Sequence, residues 1–145
     1  MTGARVVSVC TSAVTGVQKS PVAEVLARAD HGIEGDAHAG PWHRQVSLLA
    51  DESAAKMRAA GAQVGPGDFG ENVLTAGIDL TALPVGAVLA VGCARLEITQ
   101  KGKECHTRCA IFEAAGACVM PTEGIFCRVL AGGPIRPGDP VRVEG

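Results

Sequence analysis

The 145-residue chain predicts a mainly β fold: a small antiparallel β-barrel with one principal helix and short helical turns. Three observations carry this expectation. Apolar residues recur mostly in short runs, several of which alternate with polar ones. Nineteen glycines and eight prolines are spread along the whole chain and punctuate it into short elements. Only one window has both the composition of a helix and a stop signal at each end.

Taken in order, Arg5–Cys10 reads as a first strand and Thr11–Pro21 as a loop. Val22–Ala29 is ambiguous: Val22, Val25, Leu26 and Ala29 fit a helical period, but the run is short. Gly32–Gly40 reads as loop and Arg44–Leu49 as a strand. Asp51 then caps a helix over Glu52–Ala60, and Gly61 stops it. Gly65–Asp68 is a tight turn, followed by strands at Asn72–Leu74, Val88–Val91 and Ala94–Thr99. Leu83-Pro84-Val85-Gly86 is a turn feeding the second of these. Ile111–Ala115 fits a helical turn and Phe126–Leu130 a strand. A turn at Arg136–Asp139 precedes a last strand, Val141–Val143.

This length suits a single domain, residues 1–145, with its own hydrophobic core. With three Phe, one Trp and no Tyr, that core must be built from Val, Leu, Ile and Ala. A formal charge of -2 argues against a general nucleic-acid binder, though not against a local basic patch. No apolar run approaches the ~20 residues of a membrane span. The N-terminal residues lack a signal-peptide pattern, so a soluble, cytoplasmic protein is expected. Cys10, Cys93, Cys105, Cys109, Cys118 and Cys127 then read as free thiols in a reducing compartment rather than as three disulfides. Cys10, Cys93 and Cys127, in apolar strand contexts, read as packing residues.

The stretch Lys101-Gly-Lys103-Glu104-Cys105-His106-Thr-Arg108-Cys109 carries the clearest chemistry. Lys101, Lys103 and Arg108 would favour a thiolate at Cys105, the form that attacks or carries sulfur. This predicts titration below the ~8.5 of a free thiol, with Glu104 working in the opposite direction. Basic neighbours alone serve equally well for a surface thiol without a role. Cys109 suits a core position or a resolving thiol. No Cys-x-x-Cys pair supports a zinc site, and no metal ligands are assigned.

A second candidate is the Gly-flanked loop with Asp36 and His38, followed by His43 and Arg44. Such a loop suits a phosphate or oxyanion, because glycines admit backbone donors and an arginine forks onto two oxygens. It also suits a thiol-orienting acid–base contact. The bland alternatives are a turn cap for Asp36, a structural hydrogen bond for His38 and a solvated strand end for Arg44. Asp68, Glu71 and Asn72 fit either turn roles or a pocket edge. Arg128 fits either a solvent face or a polar site.

Gly35-Asp-Ala-His-Ala-Gly40, Arg44-Gln-Val-Ser-Leu48 and Gly67-Asp-Phe-Gly-Glu-Asn72 together resemble the MOSC domain. So do Gly77-Ile-Asp-Leu80, Leu83-Pro-Val-Gly86, Cys105 and Met120-Pro-Thr-Glu-Gly-Ile-Phe126, in family order. That family is named after the C-terminal domain of molybdenum-cofactor sulfurases. The resemblance implies a β-barrel in molybdenum or tungsten cofactor metabolism, with Cys105 carrying sulfur as a persulfide in a sulfurtransferase-like role. Asp36, His38, Arg44, Lys101, Lys103 and Arg108 would then face molybdopterin, molybdate or tungstate. A separate donor such as a cysteine desulfurase would supply the sulfur, and a molybdopterin-pathway or molybdoenzyme partner would accept it. Pyridoxal phosphate is not expected, because nothing here resembles the aminotransferase-like part of full sulfurases. The alternative is a module that binds molybdopterin, molybdate or tungstate without covalent chemistry. A reductase role, with the cysteine as a metal ligand, belongs to larger relatives.

Overall fold

The structure is a computed structural model that describes residues 4–14, 18–59, 61, 65–102 and 123–144. The strands are β1 Arg5–Thr11, β2 Ser20–Val22, β3 Val25–Arg28, β4 Gly32–Ile33, β5 Val46–Ala50, β6 Val73–Ala76, β7 Val88–Val91, β8 Ala94–Lys101, β9 Ile125–Ala131, β10 Gly133–Ile135 and β11 Val141–Glu144. One α-helix, α1 at Asp51–Ala59, and a 3-10 turn at Leu80–Ala82 complete the described elements. The fold is mainly β with one helix, as predicted. None of the described helices is long and apolar enough to cross a membrane.

Eight strands form the main sheet, in the order β11-β7-β8-β9-β5-β6-β1-β2. Every ladder in it is antiparallel except β5–β6, which is parallel. The sheet is thus predominantly antiparallel, with this one pair as the exception. Helix α1 begins where β5 ends and carries the chain back, so that β6 runs alongside β5 in the same direction. The ladder between β1 and β11 is not continuous. One bridge, Arg5 to Pro140, spans it, with Val6 N–H to Asp139 O at 2.8 Å, Gly138 N–H to Val6 O at 2.7 Å and Val141 N–H to Ala4 O at 3.2 Å. Pro140 has no N–H to extend the ladder. The sheet is thus curled, with a bridged seam where the predicted barrel would have full pairing.

A second sheet, β10-β3-β4, was not foreseen. Val22–Ala29 is not helical: Val25 and Ala27 are buried while Leu26 and Arg28 are exposed, a two-residue period. Pairing to β10 and β4 overrides the weak helical fit. Strand β2 lay in the predicted loop, and β4 lay in the next one. Pro21 and Pro134 obscured β2 and β10, yet both strands are at sheet edges, where a missing N–H is tolerated.

Both sheets contribute to one core. Val6, Leu48, Leu89, Leu96 and Ile98 come from the large sheet, and Val25, Ile33 and Ile135 from the small one. All five residues of β5 are buried, and α1 adds Ser53 and Ala54. The helix starts at Asp51 itself, whose carboxylate accepts from Arg58 at 3.0 Å rather than capping from outside. Gly61 closes the helix as predicted: its N–H reaches Arg58 O at 3.0 Å with φ at +102°.

Cys10 and Cys127 are buried, as expected, whereas Cys93 is exposed. It occupies the turn between β7 and β8, so the packing role assigned to it is corrected. All three are free thiols. Cys105, Cys109, Cys118, Lys103, His106, Arg108 and the predicted helical turn at Ile111–Ala115 lie outside the described residues.

Candidate functional site

The loop after β4 is tied back to the end of β1. Ser12 N–H donates to Asp36 Oδ1 at 3.0 Å, and Ala37 N–H donates to Ser12 O at 2.8 Å. Asp36 Oδ2 accepts the His38 backbone N–H at 3.0 Å. These bonds make Asp36 the organiser of its own loop, the turn-capping role open to it from sequence. It does more, because Lys19 reaches it. Lys19 Nζ lies 2.8 Å from Asp36 Oδ1, and both side chains are fully buried. The same Nζ lies 3.0 Å from His38 Nδ1.

Burial alone would disfavour the Asp36 carboxylate. The Lys19 ammonium at 2.8 Å and the backbone N–H groups of His38 and Ser12 outweigh it and hold Asp36 well below the usual carboxylate range. Lys19 was not read from sequence as a site residue. It falls in a segment that looked like plain loop, with no neighbouring pattern to single it out.

A tight turn buttresses the lysine. Lys19 N–H donates to Gly67 O at 2.8 Å. A Cβ at Gly67 would come within 2.1 Å of Lys19 O and 3.2 Å of Cys10 Sγ, and its φ is +83°. Only glycine fits that approach. Below the turn, Gly67 N–H donates to Glu71 Oε2 at 2.7 Å, while Glu71 Oε1 is buried without a partner among the described residues. Burial pushes the Glu71 carboxyl up to about 7. Burial first, and the Glu71 charge second, push the Cys10 thiol up to about 12, so Cys10 stays a protonated, inert thiol. Asn72 ties strands together, donating to Cys10 O at 3.1 Å and accepting from Ser47 N–H at 3.0 Å. The motif at residues 67–72 thus takes structural roles rather than a pocket edge.

The second half of the loop builds an aromatic shelf. Trp42 Nε1–H donates to His38 O at 2.7 Å, and its ring lies parallel to the His38 imidazole at 6.4 Å. The Arg44 guanidinium sits 4.6 Å from the Trp42 ring centroid and 5.6 Å from that of Phe126. Arg44 Nε is buried and has no hydrogen-bond partner among the described residues. Arg44 precedes β5 rather than beginning it, and Gln45 turns inward. Gln45 accepts from Val129 N–H at 3.0 Å and donates to Gly40 O at 3.0 Å. A cleft of about 330 Å³ opens beside Trp42, His43 and Gln45, with Asp30 and Arg128 on its rim. Arg128 is half-exposed and paired with Glu97 at 2.8 Å, which settles its solvent-facing position.

The shelf also touches the end of β8. His43 Nε2 lies 2.8 Å from Gln100 Oε1, Thr99 Oγ1–H donates to His43 O, and Gln100 donates to Gly102 O at 2.7 Å. Gly102 N–H then donates to Gly124 O at 2.7 Å, joining the two points where the described chain breaks off and resumes. Lys101 goes elsewhere. It pairs across the sheet with Ile125, and its ammonium donates to Thr81 O at 2.7 Å. Thr81 lines a different cleft of about 380 Å³, with Ser53, Lys56, Asp79 and Glu123. The structure therefore brings Asp36, His38 and Arg44 into one connected group and turns Lys101 toward another. Among the described residues, no group of three or more His, Cys, Asp and Glu side chains is arranged to hold a metal ion.

The family model of the MOSC domain matches residues 34–142. The chain belongs to the MOSC domain family. The match takes in Asp36, His38, Arg44, Lys101 and Cys105, whereas Lys19 precedes it. Among solved structures, this MOSC chain is similar to the YuaD protein from Bacillus subtilis (TM-score 0.80, 20% identity, covering 99% of this chain and 96% of that one). It is also similar to YiiM from Geobacillus stearothermophilus (TM-score 0.74, 21% identity, 98% and 75%) and to YiiM from Escherichia coli (TM-score 0.66, 19% identity, 97% and 70%). At these identities the likeness shows a common fold. Among curated proteins, none matches the chain.

Proposed function

We propose that this MOSC protein serves molybdenum or tungsten cofactor metabolism by carrying sulfur as a persulfide on Cys105 and handing it to a metal–sulfur cofactor. The observation that supports the acceptor side is Arg44. Its guanidinium is held over Trp42 and Phe126, with a buried Nε that no group among the described residues satisfies. A buried donor without a partner costs roughly 1–3 kcal/mol, which an incoming oxygen anion would offset. The residues fit such a group. Arg44 and His38 would hold the phosphate or oxo oxygens of a pterin cofactor or of molybdate, and the Asp36 charge beside them is compensated by Lys19. When bound, the cofactor would supply an electrophilic centre for the outer persulfide sulfur, and release of that sulfur at the sulfide level would take two electrons from an external thiol reductant, which leaves as a disulfide while Cys105 returns to the thiolate.

The donor side needs a thiolate within reach. Cys105 is three residues past Gly102, a reach of at most about 10 Å for an extended chain, and Gly102 is linked through Gln100 to His43 beside the shelf. In the loading step the Cys105 thiolate attacks the terminal sulfur of a donor persulfide. A new S–S bond forms on Cys105, the donor's S–S bond breaks, and the donor leaves as a thiolate, with no net oxidation. A separate protein such as a cysteine desulfurase would supply that persulfide. Lys103 and Arg108 would steady the thiolate, with Lys101 at a greater remove. The bridged β1–β11 seam supports reading the curled sheet as the family's barrel.

Intact-mass spectrometry after incubation with a desulfurase and cysteine tests this. A sulfur adduct of about 32 Da is expected on the wild type and not on Cys105→Ser. Absence of the adduct on the wild type, with Arg44-dependent oxyanion binding intact, would favour the second reading: a non-covalent module for molybdopterin, molybdate or tungstate. Arg44 supports that reading equally, since its unpaired donor asks for an anion whether or not sulfur moves. Arg44→Ala should weaken molybdate or phosphate binding at least about 10-fold, the equivalent of one charge-assisted hydrogen bond. Unchanged affinity by calorimetry would remove the anion role.

A further inference from the structure

We infer that Lys19 is a positioning residue whose buried ammonium fixes His38 in the tautomer protonated at Nε2, so that the imidazole presents a hydrogen-bond donor to an oxyanion. The ligand in this inference rests on the reading above, whereas the tautomer rests on geometry alone.

An ammonium can only donate. Lys19 Nζ lies 3.0 Å from His38 Nδ1, so Nδ1 must accept and carries no proton. The neutral ring then bears its proton on Nε2. The competing arrangement would have Nδ1–H donate to Asp36. That fails on distance: Asp36 Oδ2 is 3.6 Å from Nδ1, beyond hydrogen-bond range. The lysine holds its charge in a dry place because Asp36, fully buried beside it at 2.8 Å, compensates it.

The lysine backbone is held as firmly as its head group. Its N–H is bonded to Gly67 O, and its carbonyl packs on the Gly67 turn. The ring plane of His38 is set from the other side by Trp42, which lies parallel to it and bonds the His38 carbonyl. With Nδ1 turned inward to Lys19, the outward edge of a side chain 24% exposed carries the N–H. His38 therefore contributes a fixed donor next to the Arg44 shelf. In this state it neither accepts a proton from a thiol at Nε2 nor ligates a metal through Nδ1.

Long-range proton–nitrogen correlation spectra of the histidine rings, recorded on the whole chain near neutral pH and assigned with His38→Gln, test this. The wild type should show an unprotonated Nδ1 and a protonated Nε2. A protonated Nδ1 would overturn the inference. Lys19→Met should release the ring into a mixture of tautomers, but it also strands the Asp36 charge. Lys19→Met with Asp36→Asn keeps the experiment informative if the single variant fails to fold. A folded double variant that retains the pure Nε2–H form would show that Lys19 does not set it. Molybdate added to the wild type should move the Nε2 signal. An unmoved signal would overturn the donor assignment. These readouts are indifferent to sulfur on Cys105, so failure of the persulfide reading and failure of this one are separable.

Discussion

Two buried carboxyls, Asp36 in contact with Lys19 and Glu71 under the Gly67 turn that holds its backbone, respond to pH in opposite senses. Asp36, held below its ordinary range, stabilises the fold above about pH 4, and that contribution is lost as pH falls further. Glu71 is raised, from 4.5 to about 7. Between those values the folded chain holds a proton that the unfolded chain has released. Stability therefore falls as pH rises through this window, and the full penalty stands above pH 7. Glu71→Gln keeps an acceptor for Gly67 N–H and removes the charge. Denaturant melts should show the variant gaining on the wild type by on the order of 2 kcal/mol at pH 8, with little difference at pH 5. An equal difference at both pH values would show that Glu71 is not the titrating group. At this scale the sequence was readable where a residue shapes its own loop, as Asp36 and His38 do among their glycines. It was unreadable for Lys19, whose role depends on a partner 17 residues away. Arg44 was singled out for its fork. The aromatic pair beneath it comes from two separate segments, and only folding joins them.

Among the elements, the turn at residues 65–70 has the sharpest requirement. Gly67→Ala meets both a positive φ and the Lys19 carbonyl, so a loss above about 2 kcal/mol is expected by thermal or urea unfolding. Gly35→Ala shares the positive φ, yet no atom lies within 4 Å of its Cβ, so it should cost only about 1–2 kcal/mol. Equal losses at the two sites would mean that the Lys19 contact is not what demands glycine at residue 67. The elements that the sequence disclosed are those whose own residues determine them: α1 with its glycine stop, and β7 and β8 with their alternation and turns. Strand β3 escaped because four residues cannot distinguish a period of two from one of 3.6. Its alternation of buried Val25 and Ala27 with exposed Leu26 and Arg28 exists only against β4 and β10.

For the whole molecule, composition foretold a β fold with an aliphatic core, and the core is indeed built from Val, Leu and Ile of both sheets. What composition could not carry was strand order. The parallel β5–β6 pair and the small second sheet depend on which distant segments meet, a property of pairing rather than of any local pattern. The seam belongs to the same class. It links the segment around Arg5 to the segment around Pro140 across nearly the whole described chain. Closing a loop that long costs chain entropy before any reward arrives, a pattern that places β-rich domains among slower folders, on the scale of about milliseconds to seconds. During synthesis β1 emerges early, while its neighbour across the seam is among the last described residues to leave the ribosome. Until residues 138–141 have emerged, the bridge between β1 and β11 cannot form, so the sheet curls shut only at the end of synthesis of the described chain.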